Sequence, residues 1–166
     1  MKSSISGPDP ESTFLEAERY EEQGKFKKAF DCLLRAARLG HDGCQLNVGN
    51  FYSSGKGVRK NPEQAAYWYR QAYKNGNSTG AFNLAIDRRN DGNIRSAFAW
   101  FKKAWAMNDG EAAIELAKLY VTKRDGMKKA IELLKKASVL KRAEISDEAK
   151  HEAKILLLEL TAGKKR

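Results

Sequence analysis

A chain of 166 residues is the size of one domain or of one short repeat array, and at 42% hydrophobic and 31% charged it can fill a core beneath a solvated helical surface. Three prolines, two of them (Pro8, Pro10) among the first ten residues, favour long uninterrupted helices over a turn-rich β fold. The formal net charge of +10 is uneven, with acidic residues crowding the first 24 positions and lysines the last third, which fits either the steering of an acidic partner or nucleic acid, or a solvated outer face.

No run approaches the ~18 apolar residues of a membrane helix. The opening MKSSISGPDP, with one lysine and no apolar stretch, does not resemble a secretory signal. Cys32 and Cys44 are too few for a disulfide framework, and Cys32 falls on an apolar helical position, as a buried reduced thiol would. The expected compartment is the cytoplasm.

In chain order, residues 1–10 read as a flexible N-terminal tail, and residues 11–160 as a repeat domain. Each repeat has a first helix, A, and a second, B. Repeat one (11–40) carries Ala17 and Tyr20 on A, Gly24 after it, and the B block Ala29-Phe30-Asp31-Cys32-Leu33-Leu34-Arg35-Ala36. Repeat two (41–76) has Asn47-Val48-Gly49 and Tyr52 on A, Gly55 as its close, and Asn61, Pro62 and Gln64 as the capped start of B. Its B block is Ala65-Ala66-Tyr67-Trp68-Tyr69-Arg70-Gln71-Ala72. Repeat three (77–109) aligns Asn83-Leu84-Ala85 and Arg88, then Gly92 and the block Ala97 to Ala104. Repeat four (110–141) aligns Glu115-Leu116-Ala117 and Tyr120, then Gly126 and the block Ala130 to Ala137. The four glycines are expected just past the ends of the A helices. A capping helix follows over 146–160, with Ser146 as N-cap, a stripe of Ala149, Ala153, Leu156, Leu157 and Leu160, and Lys150, His151 and Lys154 facing water. Residues 161–166 form a basic tail.

Every B block reads Ala-x-x-large-large-x-x-Ala. That spacing places two small and two large residues on one helical stripe, where alanines admit a neighbouring helix and the large pair fills the space between. A single helix pair cannot bury such a stripe, but stacked pairs can. The predicted fold is therefore all-α, an αα solenoid of about four helix-pair repeats with a C-terminal capping helix.

Residues 43–76, GCQLNVGNFYSSGKGVRKNPEQAAYWYRQAYKNG, closely resemble a Sel-one-like repeat, a relative of the tetratricopeptide repeat. The matching elements are Asn47-Val48-Gly49, Tyr52, the loop Gly55-Lys56-Gly57-Val58, and Ala65, Trp68-Tyr69-Arg70 and Ala72. Repeat three keeps Trp100-Phe101-Lys102-Lys103-Ala104, while repeats one and four keep the alanines and the apolar pair. The resemblance implies a right-handed superhelix with A helices lining its concave wall, used as an adaptor or scaffold for other proteins. It implies neither catalysis nor a cofactor.

The residues offer little chemistry of their own. His41, His151, Cys32 and Cys44 have no zinc-ligand spacing, so no metal is expected. Gly55-Lys56-Gly57 lacks the full phosphate-loop pattern and follows no strand. Trp68, Tyr69, Trp100 and Phe101 fall on the B stripe, which assigns them to the core rather than to base stacking. No nucleophile, acid–base pair or ligand cluster stands out, so an enzyme is not expected. Helix A of repeat three departs from the pattern: Arg88 replaces a tyrosine, and Asp87 stands where repeats two and four have Phe51 and Leu119. Charges there must be exposed or paired, since burying them alone costs several kcal/mol. Asp87, Arg88 and Arg89 could pair with one another in the groove and remain available to a ligand, or be satisfied at the surface of a degenerate repeat.

The expected partner-binding set is Asn47, Asn50, Asn83, Asp87, Arg88, Arg89 and Lys118, on the A-helix wall. The expected function is a protein–protein interaction module whose partner carries an acidic segment. An inhibitor or immunity-type protein and a nucleic-acid-binding repeat protein are the alternatives.

Overall fold

A computed structural model describes residues 9–141 and 143–162. Among them are nine α-helices and no strand: α1 (Pro10–Glu22), α2 (Phe26–Arg38), α3 (Asp42–Ser54), α4 (Pro62–Lys74), α5 (Ser78–Asn90), α6 (Ile94–Trp105), α7 (Gly110–Val121), α8 (Met127–Ala137) and α9 (Asp147–Ala162). The odd-numbered α1 to α7 are the A helices and α2 to α8 the B helices. They gather into two compact units, Met1–Gly80 and Ala81–Arg166.

The boundaries follow from side chains that satisfy free backbone N–H groups at helix starts. Asp9 accepts from Ser12 N (2.8 Å), Asn61 from Gln64 N (3.0 Å), Asn93 from Ser96 N (3.0 Å), Asp109 from Ala112 N (3.0 Å) and Ser146 from Ala149 N (3.2 Å). The expected tail 1–10 lies outside the described residues except for Asp9, the N-cap of α1, and Pro10, its first residue. Helix α9 runs two residues beyond the expected cap, to Ala162, and the rest of the basic tail also lies outside the described residues.

In the first unit α1 packs on α2, α2 on α3 and α3 on α4. Their shared core holds Ala17, Phe30, Leu33, Val48, Phe51 and Trp68. Asn75 and Asn77 tie the end of the second helix pair to the start of that pair and to the turn before it. Asn75 Nδ2 donates to Gly40 O (3.1 Å) and Gln45 Oε1 (2.9 Å), and Asn77 Nδ2 to Asp42 Oδ2 (2.9 Å). Gly57, at φ 73°, lets the long A–B loop lie on Phe26, where a Cβ would stand 2.6 Å from the Phe26 carbonyl carbon. Lys56 then reaches over the Phe26 ring, 4.1 Å from its centroid.

In the second unit α6 packs on α7, α7 on α8, and α9 on both α7 and α8. Ala113, Ile114, Ala117, Ala130, Leu134 and Ala137 form a core with Ile145, Ala149 and Ala153, flanked by half-buried Leu156, Leu157 and Leu160. The stripe expected on the cap is thus the face it buries. Its opposite side is not wholly polar, since Ile155 and Leu158 stay exposed.

All eight alanines that bracket the B blocks are fully buried, and so is the second large residue of each pair: Leu33, Tyr69, Phe101 and Leu134. The first large residue divides the units. Cys32 and Trp68 are buried, but Trp100 and Leu133 are half-exposed. Trp100 is therefore not the core residue the pattern predicts. It lies at the margin of the stripe, with the Lys103 ammonium 3.7 Å from its ring centroid.

Two other expectations need correction. Gly24, Gly55 and Gly92 follow A helices with positive φ, but Gly126 lies just before α8 at φ −82°. It is required by close approach instead, because a Cβ there would collide with the Tyr120 carbonyl. Lys150 does not simply face water: its Nζ donates to Leu140 O (2.8 Å) beyond the end of α8, while His151 and Lys154 are exposed.

Gly49, the small residue of α3, is also dictated by packing, since a Cβ would stand 2.6 Å from the Tyr69 ring. Overpacking costs ~1–3 kcal/mol and alanine's helix propensity returns at most ~1. Gly49→Ala should therefore lose about 1–2 kcal/mol of stability, read from the urea midpoint. An unchanged midpoint would mean that Tyr69 swings aside freely.

Candidate partner-binding faces

The seven expected site residues fall in both units. Asn47 and Asn50 lie on α3 in the first; Asn83, Asp87, Arg88 and Arg89 on α5, and Lys118 on α7, lie in the second.

In the first unit Asn47 and Asn50 border a cleft of about 230 Å³ with Glu21, Phe51, Ser54 and Lys56. Phe51, in the core, supplies an apolar wall. Asn50 Oδ1 accepts from Tyr69 Oη (2.9 Å), which fixes the carboxamide. Lys56 Nζ and Glu21 Oε2, 3.2 Å apart, place opposite charges at the rim. The Asn47 carboxamide, half-buried, makes no hydrogen bond among the described residues. This cleft can accept and donate hydrogen bonds as a peptide backbone requires. Glu21, Ser54 and Lys56 also line it and are not among the residues expected from the sequence. The signal for Glu21 and Lys56 was there, in opposite charges one repeat length apart.

In the second unit the polar cluster is cross-linked, with Arg88, Arg89 and Glu115 half-buried and Asp91, Lys118 and Glu152 exposed. Arg88 pairs with Asp91 (3.3 Å) at the end of its own helix, and Arg89 Nη1 with Glu115 of α7. Glu115 also accepts from Lys118 (2.8 Å), which bridges to Glu152 of α9 (2.8 Å). Burial pulls the Lys118 pKa down, but hydrogen bonds and charge from Glu115 and Glu152 outweigh it and leave the pKa raised. Asp91, Glu115 and Glu152 were not anticipated as site residues, although Glu115 aligns with Asn47 and Asn83 in the repeat. Each arginine commits one N–H of its fork to these pairs, so other donors of the planar guanidinium remain to bind oxygen.

Among the described residues no group of three or more His, Cys, Asp or Glu is gathered as a metal site. Both cysteines are buried and free. Burial pushes the Cys44 thiol up to about 11, and burial together with the Glu16 carboxylate raises Cys32, the opposite of what a nucleophilic thiolate needs. No described helix is long and apolar enough to cross a membrane.

The helix-pair periodicity has a direct counterpart among known families. The Sel1 repeat matches four times, at residues 23–41, 43–77, 80–109 and 110–138, which together span more than half of the chain. The chain belongs to the Sel1 repeat family. A Sel1 repeat protein from Oxalobacter formigenes superposes with a TM-score of 0.71 at 21% identity, over 91% of this chain and 63% of that one. The protein c5321, a protective antigen of uropathogenic Escherichia coli with the same repeat fold, gives 0.72 at 25% identity, over 91% of this chain and 34% of its own. This Sel1 repeat chain thus spans less than two thirds of the length of either. The tetratricopeptide-like solenoid class expected from the sequence is the observed one. Sel1 repeat proteins generally mediate protein–protein interaction, and the fold is typically a non-catalytic scaffold.

Proposed function

We propose that this Sel1 repeat chain is a non-catalytic interaction module that receives an acidic segment of another protein on the A-helix side of its second unit. The observation that carries this reading is the pair Arg88 and Arg89, half-buried and braced by Asp91 and Glu115, with fork donors left over. A braced guanidinium loses little freedom when it takes up a carboxylate, and two successive ones on α5 can each engage a separate acidic side chain. Lys118, held charged between Glu115 and Glu152, keeps Glu115 in place as the brace of Arg89. Within the first unit, and separately, the cleft bordered by Asn47 and Asn50 suits a peptide backbone.

The test is calorimetric titration of a partner recovered by pull-down. Arg88→Ala with Arg89→Ala should weaken binding by about 10- to 100-fold, a scale set by half-buried rather than fully buried pairs. A control changing Lys102 and Lys103 of α6 should keep full affinity. If the control loses affinity and the arginine variant does not, the B-helix side is the working surface and this assignment fails.

A further inference from the structure

A second group of cations in the second unit is arranged differently. Residues 81–166 hold nineteen of the 31 Lys and Arg but only twelve of the 21 Asp and Glu, and so carry +7 of the net charge. On α6, Arg95, Phe98 and Lys102 recur at intervals of three and four, which puts them on one stripe, and both cations are exposed. Phe98 meets Tyr120 of α7 edge to face, with centroids 5.1 Å apart. The Lys123 ammonium stands 3.7 Å from the Phe98 centroid and 5.2 Å from that of Tyr120. Lys129 of α8 stands 5.5 Å from the Tyr120 centroid.

No carboxylate among the described residues is paired with Arg95, Lys102, Lys123 or Lys129, whereas Arg88, Arg89 and Lys118 all have one. The nearby acid on α8, Glu132, is held by Lys136, whose hydrogen bond and charge lower its pKa, with smaller contributions from Lys128 and Lys129. Asp125 in the α7–α8 connection and Asp91 before α6 are exposed acids, and neither is paired with a cation of this patch.

We propose that this face of the second unit, Phe98 and Tyr120 flanked by Arg95, Lys102, Lys123 and Lys129, binds single-stranded nucleic acid. Uncompensated cations attract any polyanion, but this patch alternates them with half-exposed rings. A single strand uses both features: phosphates go to the cations and an unpaired base to a ring. A duplex keeps its bases stacked inside, and a lipid headgroup has no flat face to offer. Lysine is a flexible point charge, so Lys123 can leave the Phe98 face for a phosphate as a base takes its place. The proposal is independent of the A-helix site, because it uses other residues and another class of ligand.

Fluorescence anisotropy of the full chain tests it, with labelled oligouridylate and oligothymidylate of about 20 nucleotides, a duplex of equal length, and phosphatidylserine vesicles as the competing arms. Single strands should bind more tightly than the duplex, with a log–log salt slope of about −3 for four phosphate contacts. Lys123→Ala with Lys129→Ala should lower affinity at least about tenfold and flatten the slope by about 1.4. Phe98→Leu, checked for an unaltered circular dichroism spectrum, should lose about fivefold or more with the slope kept. If Phe98→Leu unfolds, Arg95→Ala with Lys102→Ala takes its place and should flatten the slope as the lysine pair does. Arg88→Ala with Arg89→Ala should bind like the wild type. The proposal is overturned by no single-strand binding at low salt, by duplex binding of equal or greater strength, by binding to vesicles alone, or by full affinity in the Lys123/Lys129 variant.

Discussion

Replacing Trp68 by alanine should cost ~3–5 kcal/mol, and so should replacing Phe101, whereas the same change at Trp100 should cost at most ~2. Trp68 and Trp100 hold the same place in their repeats, so sequence position alone predicts equal losses. Their surroundings do not. Trp68 is 8% exposed and belongs to the first unit's core, beside Phe30, Leu33 and Val48. Removing it leaves a cavity that helices on both sides can only partly close. Phe101 is fully buried and meets Phe82 edge to face, with centroids 5.6 Å apart. Trp100 is half-exposed, with the Lys103 ammonium 3.7 Å from its ring centroid. Losing it forfeits some apolar contact and a cation–π pair of about 0.5–1 kcal/mol. Urea denaturation of the three variants, followed by circular dichroism, should rank Trp68 and Phe101 together and Trp100 well apart. Equal losses for the two tryptophans would mean that Trp100 is covered by more than its exposure shows.

The difference between those tryptophans marks where sequence reasoning stopped. The Ala-x-x-large-large-x-x-Ala blocks located all four B helices, because alanine spacing and helical period are local properties, and every bracketing alanine is buried. Which of two adjacent large residues points inward depends on a few tens of degrees about the helix axis, and neighbouring helices set that angle. The polar cluster behaved in the same way. Arg88 and Arg89 stood out as departures from the repeat, but Glu115 and Glu152, which engage Arg89 and Lys118, belong to helices distant in sequence. Gly126 looked like a helix terminator by analogy with three others. Only the carbonyl of Tyr120 shows why no larger residue fits there.

Deleting residues 144–166 should unfold the second unit or drive it to aggregate, an effect larger than any single substitution. The segment contributes Ile145, Ala149 and Ala153 to the buried core and Leu156, Leu157 and Leu160 around it. At about 1.5–3 kcal/mol for each fully buried aliphatic side chain, and part of that for the half-buried leucines, the loss is on the order of 5 kcal/mol or more. That approaches the whole stability of a typical small domain. Polar ties go with it: Gly110 N donates to Glu144 O (2.7 Å), Ser146 N to Glu111 (3.0 Å), and Lys118 pairs with Glu152 (2.8 Å). Gly110 is packed so closely on this segment that a Cβ would stand 2.5 Å from that of Ile145, so α7 begins directly against what the truncation removes. The exposed ends of α7 and α8 would then present Ile114 and Leu134 to water, and a helix repeat without its terminal cover tends to associate through that face. Size-exclusion chromatography with light scattering should show oligomers or aggregate, and circular dichroism should show a loss of helix beyond the sixteen residues of α9 itself. A milder variant separates capping from bulk loss. Ala153→Glu places one charge at a fully buried position of α9 and leaves the rest of the chain in place. It should detach the helix and reproduce much of the truncation. A monodisperse truncated protein with unchanged helicity per residue, or an Ala153→Glu variant as stable as the parent, would show that α9 is not what closes this end of the repeat core.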